Sequence, residues 1–451
     1  MARLTTKRRV RACLPPLTLA LLLAACGGGG GEAPSQPSQA HADPGATGAS
    51  TQAGSLPGVR LVSALTSVPT AAADSGLEPR PPQVIDAALA GERVVKAVGA
   101  LDGGGHAVAW MAHGPRVPGV AWELWVQRFD TEGQRLGEPV RLDIPADVLN
   151  AQDLAVNLLP EGRIGVTFVT RRVENEVNMI TEVHHWPYTL QGTIDGTARV
   201  LDAERYPRNA PLFAQLSGPI DASTGRDGSL YVSWRFQTPV SPQLVPSVRA
   251  LRLAADGEPL GWIQRLDGQG VSRVYDLSLT ALDEGGWVAA MERVSLVGVP
   301  YRTFTQLEVP RPLSMPLTET QAAGAFLLDL RGHGSVLFTA NVDTDSGVQA
   351  SPRSLYFNLR GAAQPARGLP MLPVAAVALR GGDYLTLAPD GVQLSAQRYT
   401  AAGDPVGAPF TTPATPGLVA AGLQSGGLAL AWTTSAPDGR VEVVVQLIAA
   451  R

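Results

Sequence analysis

A glycine-rich turn that opens an alternating strand recurs seven times along this chain of 451 residues. The instances are GGGHAVAW ending at Trp110, EGRIGVTF at Phe168, DGSLYVSW at Trp234, GGWVAAM at Met291, HGSVLFT at Thr339, GGDYLTL at Leu387 and SGGLALAW at Trp432. Another apolar strand precedes each, as in VVKAVGAL (94–101), DLSLTAL (276–282) and GLVAAGL (417–423). A third follows, as in WELWVQRF (122–129), SVRALRL (247–253), VQLSAQRY (392–399) and VEVVVQLI (441–448). A tight turn then leads to a fourth, as in DTEGQRLGEPVRL (130–142) and TAAGDPVGAPF (400–410). Period-two alternation marks strands that bury one face, and 49 glycines with 37 prolines exclude helical repeats of similar length. Four antiparallel strands repeated seven times predict an all-β, seven-bladed β-propeller, with a six- or eight-bladed ring as the alternative and two packed sandwiches after that.

The chain ends at Arg451, directly after the third strand of the seventh repeat, so that blade needs an outer strand from elsewhere. LPGVRLV (56–62) resembles the fourth strand LGEPVRLD (136–143), which predicts closure of the ring by an N-terminal strand at 58–65. Residues 66–93 then read as a connecting segment and 94–451 as the seven repeats, within a propeller domain spanning 58–451. The Asp-Gly pairs beginning at Asp102, Asp195, Asp227, Asp256, Asp390 and Asp438 read as turns rather than calcium loops, because glycine tolerates the positive φ of a tight turn. Trp110, Trp234 and Trp432 share one repeat position and read as blade-packing residues.

Gln127-Arg128-Phe129 with Gly133 and Gly137, and Gln397-Arg398-Tyr399 with Gly403 and Gly407, resemble the propeller-like repeats of large secreted bacterial proteins. The resemblance covers most of 58–451, is degenerate in the middle repeats, and implies a fold without implying a chemistry.

At the other end, Arg3, Lys7, Arg8, Arg9 and Arg11 precede an apolar run of about a dozen residues, too short for the roughly 20 of a membrane-spanning helix. Leu23-Ala24-Ala25-Cys26 closes that run and resembles the lipobox of bacterial lipoproteins. The resemblance implies a signal peptide at 1–25, cleavage, and lipidation of Cys26, with palmitate among the acyl chains. Gly27 after the cysteine implies sorting to the outer membrane. Residues 26–57, rich in Gly, Ala, Pro and Ser, read as the lipidated cysteine and a disordered tether.

Cleavage removes Cys13 and lipidation consumes Cys26, which excludes disulfides, thiolate metal sites and cysteine nucleophiles from the mature chain. Loss of the five basic signal residues leaves 31 Lys+Arg against 40 Asp+Glu, a net charge of −9 that suits no nucleic acid. Lys96 is then the only lysine, read here as a bias of GC-rich coding toward arginine. No cofactor and no metal are expected, and the chain is expected to be a monomer. His184-His185-Trp186 does not make a metal site, because adjacent strand residues point to opposite faces. Asn341, Asp343 and Asp345 begin like an EF-hand loop, but Gly347 comes one place late and Pro352 stands where the bidentate glutamate belongs.

The first-to-second turns are short, whereas the second-to-third loops are long in the first five repeats, so one face carries elaborated loops. On that face Arg171, Arg172, Glu174, Arg235, Gln237, Glu292, Arg293 and Tyr301 are the candidate ligand-binding residues. Asp276 with Glu292 forms a carboxylate pair if the ring brings them within about 5–10 Å. No Gly-x-Ser-x-Gly, phosphate loop, dinucleotide fingerprint or His-Glu-x-x-His motif is present, so no catalytic residue is assigned. The expectation is a membrane-anchored, non-enzymatic propeller that binds a partner protein or envelope glycan; the alternative is a carbohydrate-active hydrolase or lyase on the same scaffold.

Overall fold

In the computed structural model, residues 75–451 are described apart from short stretches, chiefly 114–121, 145–152, 209–216, 267–272, 295–299, 310–318 and 342–351, and some single or paired positions. The signal sequence, Cys26, the tether, the 58–65 strand and most of the EF-hand-like loop lie outside the described residues. Among the described residues there is no α-helix, and the strands form seven antiparallel sheets.

From the channel outwards, blade 1 comprises Glu92–Ala100, His106–His113, Glu123–Phe129 and Val140–Leu142. Blade 2 comprises Leu154–Leu158, Arg163–Val173, Asn178–Thr189 and Arg199–Pro207. Blade 3 comprises Ser217–Thr224, Leu230–Val240, Gln243–Leu253 and Gln264–Arg265. Blade 4 comprises Arg273–Ala281, Trp287–Val294, Pro300–Leu307 and Glu319–Thr320. Blade 5 comprises Ala322–Asp329, Ser335–Asn341, Arg353–Phe357 and Arg367–Gly368. Blade 6 comprises Ala375–Ala378, Tyr384–Asp390, Gln393–Tyr399 and Pro405–Thr412. Blade 7 takes Val419–Gly422, Leu428–Ser435 and Val441–Ala450 from the C-terminus. Inner strands of consecutive blades abut all the way round, and the inner strand of blade 7 meets that of blade 1. The expected seven-bladed ring is the architecture observed.

Successive residues of a strand point to opposite faces, and the second strands are buried continuously, as in His106–His113, so apolar side chains lie on both faces of a blade and every pair of neighbouring blades encloses a buried layer. Trp122, Leu154 and Phe168 belong to the layer between blades 1 and 2, and Trp110, Val443 and Val445 to the one that joins blade 7 to blade 1. Trp110, Trp234 and Trp432 are buried, as their shared repeat position predicts. Two of them are also clasped by the preceding blade. Trp110 Nε1 donates to Asp86 at 2.9 Å, and Trp234 Nε1 donates to Asp202 at 2.9 Å. Each aspartate directly follows the extra residue of a β-bulge in an outer strand, Ile85 before Asp86 and Leu201 before Asp202, where the strand bends and twists more strongly. The Gln-Arg-aromatic motif has a comparable job. Gln127 Nε2 donates to the carbonyls of Arg128 and Gly137, and Gln397 Nε2 to those of Arg398, Val406 and Gly407, so each glutamine pins the turn into its outer strand. The glycines that follow Asp102, Asp195, Asp227, Asp256, Asp390 and Asp438 have positive φ, which accounts for their place in turns.

An N-terminal strand does complete the last blade, but its position corrects the expected one. The outer partner of Val441–Ala450 is Leu77–Pro79 followed by Gln83–Ala88, both from the stretch read as a connector. Pro79, Pro81 and Pro82 hide this strand in the sequence, because proline ordinarily argues against a strand. On an outer edge the missing N–H is harmless. The prolines lie at and beside the break between the two halves. Gln446 Nε2 donates to the Arg80 carbonyl at 2.9 Å and bridges that break.

Candidate functional site in the central channel

Each inner strand runs from the face with the second-to-third loops to the face with the short turns, so the start of every inner strand lies at the loop-bearing mouth of the channel. The inner strands of blades 6 and 7 are built from AAVA and VAAG, which give that arc small apolar walls. Blades 1 to 4 differ. Lys96 is the extra residue of a bulge between Val95 and Ala97 on the blade 1 inner strand. Asp153 stands immediately before the blade 2 inner strand, Asp221 lies within that of blade 3 and Asp276 within that of blade 4. Asp153 is buried and takes both terminal nitrogens of Arg171 at 3.3 and 3.4 Å. Asp221 accepts the backbone N–H of Leu279 from the next blade at 2.5 Å. Desolvation inside the ring pulls the Lys96 ammonium down to about 8, against the opposing pull of Asp221 and then Asp153. One charged arc therefore faces one apolar arc across the loop-bearing half of the channel.

The sequence-predicted candidates fare unequally. Arg171, on the blade 2 second strand, reaches this arc through Asp153. Arg172, next along the strand, turns away and pairs with Glu182 at 3.2 Å, while Glu174 accepts from Arg205 at 2.7 Å; both belong to the outer part of blade 2. Arg235 sits opposite Ser217 of the blade 3 inner strand, and Gln237 lies two residues further out, opposite Pro246. Glu292 is in register with Asp276 on one side and Arg302 on the other, and Arg293 with Val274 and Tyr301. The register thus sets Asp276 and Glu292 directly across one strand pair, a Cα separation of roughly 4.5–5.5 Å. The alternation pattern does not single out Lys96 as a channel residue, because a bulge leaves no signature in it, and Asp153 and Asp221 lie in no motif that marks them.

The two adjacent histidines diverge as expected. His184 shares a hydrogen bond with Thr170 at 2.9 Å, and His185 shares one with Thr167 at 2.9 Å on the other face. Among the described residues no group of three or more His, Cys, Asp or Glu side chains could hold a metal ion.

The short-turn end of the channel holds a cavity of about 950 Å³ that all seven blades line. Its walls include Ala100, Leu158, Thr224, Ala281, Ala378 and Ala421, and its rim carries Asp102, Glu161, Asp227, Asp329, Arg331 and Gln424. Arg331 extends from blade 5 to donate to the Gly422 carbonyl of blade 7 at 2.9 Å, and Gln424 donates to Asp102 at 3.1 Å. A Cβ on Gly422 would collide with the Ala378 carbonyl oxygen, so this rim position requires glycine.

No protein-family model matches the chain, and no curated protein matches it in sequence. Among solved structures it is similar to a Dyadobacter fermentans protein of unknown function, at 12% identity and a TM-score of 0.45, over 83% of this chain and 100% of the other. It is also similar to a Penicillium chrysogenum α-L-arabinanase, at 12% identity and a TM-score of 0.41, over 84% and 98%. A Streptococcus pneumoniae sialidase follows at 10% identity and a TM-score of 0.40, over 82% and 70%.

Proposed function

We propose that the protein is a non-enzymatic binding propeller of the bacterial outer membrane, held there by lipid on Cys26, and that its loop-bearing channel mouth takes an envelope glycan. The observation that carries this reading is the state of the charges in the mouth. Asp153 is neutralised by Arg171, and Asp221 already accepts from the Leu279 backbone, so both carboxylates are engaged as acceptors rather than poised as an acid and a base. A sugar hydroxyl both donates and accepts. Paired acids and cations beside an apolar wall offer it both kinds of partner at little net charge.

The test is a glycan array with the full chain in detergent, comparing the native protein with Arg171→Met. Selective glycan binding that falls tenfold or more in the variant supports the reading, and an array without any selective signal overturns it. A carbohydrate-active hydrolase is the second reading, favoured by the carboxylates of Asp153, Asp221 and Asp276 on three successive blades, since glycoside hydrolysis uses two carboxylates about 5–10 Å apart. Turnover of any bound glycan decides for it. For the anchor, Cys26→Ser is expected to abolish palmitate labelling and release the protein from the membrane fraction; retained labelling places the lipid elsewhere.

A further inference from the structure

Cationic side chains in this sequence are arginine almost without exception: Lys7 and Lys96 are the lysines among 36 Lys+Arg. The one lysine within the propeller occupies an unusual place. It is the bulged residue of an inner strand, and a bulge re-aims its extra side chain out of the paired ladder. The blade 1 second strand covers the other edge of that inner strand, so Lys96 is left facing the channel, partly exposed and surrounded by protein. Arginine could supply a positive charge here as well as lysine does. It could not supply a neutral amine, because guanidinium stays protonated in proteins.

We propose that Lys96 is a carbonyl-capturing amine, and that the channel holds small hydroxyaldehydes or hydroxyketones, such as the open-chain form of a reducing sugar, as a reversible Schiff base. The neutral Nζ adds its lone pair to the carbonyl carbon, forming a C–N bond while the carbonyl oxygen takes up a proton. Loss of that hydroxyl as water leaves the protonated imine. Neutral amine, carbonyl and one proton from solvent give the protonated imine and water, with no oxidant or reductant required. Burial supplies the neutral amine: an ammonium that titrates near 8 is about one-tenth deprotonated at pH 7. Among the described residues the charges that act on Lys96 include Asp221 and Asp153, with Arg171 behind Asp153. The blade 7 strands on its other side carry Glu442 on the third strand and Asp86 on the outer strand, the latter paired with Arg93, and the blade 1 second strand carries its histidines at its two ends. Asp153, Asp221 and Arg171 are also the groups that would hold the ligand hydroxyls, so the inference deepens the glycan reading and rests on the same mouth.

The test treats the native full chain in detergent with glycolaldehyde and sodium cyanoborohydride, then maps the modified peptides. Lys96 is expected to label at least roughly tenfold faster at pH 7 than the amine of a lysine model peptide, with a rate midpoint near pH 8. Asp221→Asn removes the charge that most favours the ammonium, and should move that midpoint lower. Labelling at the model-peptide rate, or only after unfolding in guanidinium, makes Lys96 a structural ion-pair partner and overturns the inference. Glycan binding without a Lys96 adduct removes the inference and leaves the binding reading intact, whereas an adduct without glycan binding does the reverse.

Discussion

His106 and His185 are buried histidines for which the fold has no use as cations. His106 stacks on Phe129 with ring centroids 4.7 Å apart, at the blade position where Tyr384 stacks on Tyr399 at 5.2 Å, so its imidazole serves as an aromatic plate. Desolvation lowers both histidines to about 4, with Asp130 opposing the shift at His106. A folded-state value below the unfolded 6.5 means that the unfolded chain binds more protons between those limits. Stability is then fully present above pH 6.5 and is lost as pH falls toward 4. At pH 5 the loss is about 2 kcal/mol for each histidine. Urea titrations at pH 7 and pH 5 measure it, and His106→Phe should remove roughly half of the pH-dependent part. An unchanged pH profile in that variant would show that the ring is protonated in the folded protein. Neither role was legible in the sequence, since a histidine in HAVAW reads the same whether it stacks or binds.

At the scale of the strand, the legible and illegible parts separate by physical cause. Alternation and glycine turns announced the four-stranded repeat, because burial of one face and positive φ both leave a residue-type signature. Bulges do not, and the bulges carry the cross-blade chemistry: Asp86, Lys96 and Asp202 each lie at one. Asp202 is the clearest case. It accepts from Trp234 Nε1 at 2.9 Å and from Arg249 at 2.8 Å, so removing it leaves the indole N–H between blades 2 and 3 without its acceptor and takes from Arg249 its nearer carboxylate, with Glu204 at 3.8 Å. Asp202→Ala should cost about 2–3 kcal/mol, below the full cost of breaking a buried pair because the arginine is one-quarter exposed. Asp202→Asn retains the indole bond and should cost less than half as much. A urea midpoint for the alanine variant equal to that of the native protein would mean that water replaces the carboxylate at no loss.

For the whole molecule the decisive contact is the one between its ends, where sequence reading found the principle of closure but placed the strand too early. Leu77–Pro79 and Gln83–Ala88 pair along Val441–Ala450, Arg80 N donates to the Leu447 carbonyl, and Arg398 of blade 6 donates to the Ser75 carbonyl at 2.7 Å. Asp86 in this strand also clasps Trp110 and Arg93 of blade 1, so one segment ties three blades together. A chain beginning at Ala71 keeps all of these partners and should melt within a few degrees of the full-length protein. A chain beginning at Leu89 exposes the backbone edge of Val441–Ala450, strands Trp110 Nε1, and takes Asp86 from Arg93 and the Arg80 carbonyl from the amide of the buried Gln446. Propeller blades contact mainly their neighbours, so the damage begins at blade 7 and spreads through the joint with blade 1. Hydrogen exchange should register this order: amides of Leu428–Ser435 and Val441–Ala450 lose protection first, while those of blades 3 and 4 follow. Uniform loss of protection around the ring would show instead that the propeller opens as a single cooperative unit, with no weak point at its closure.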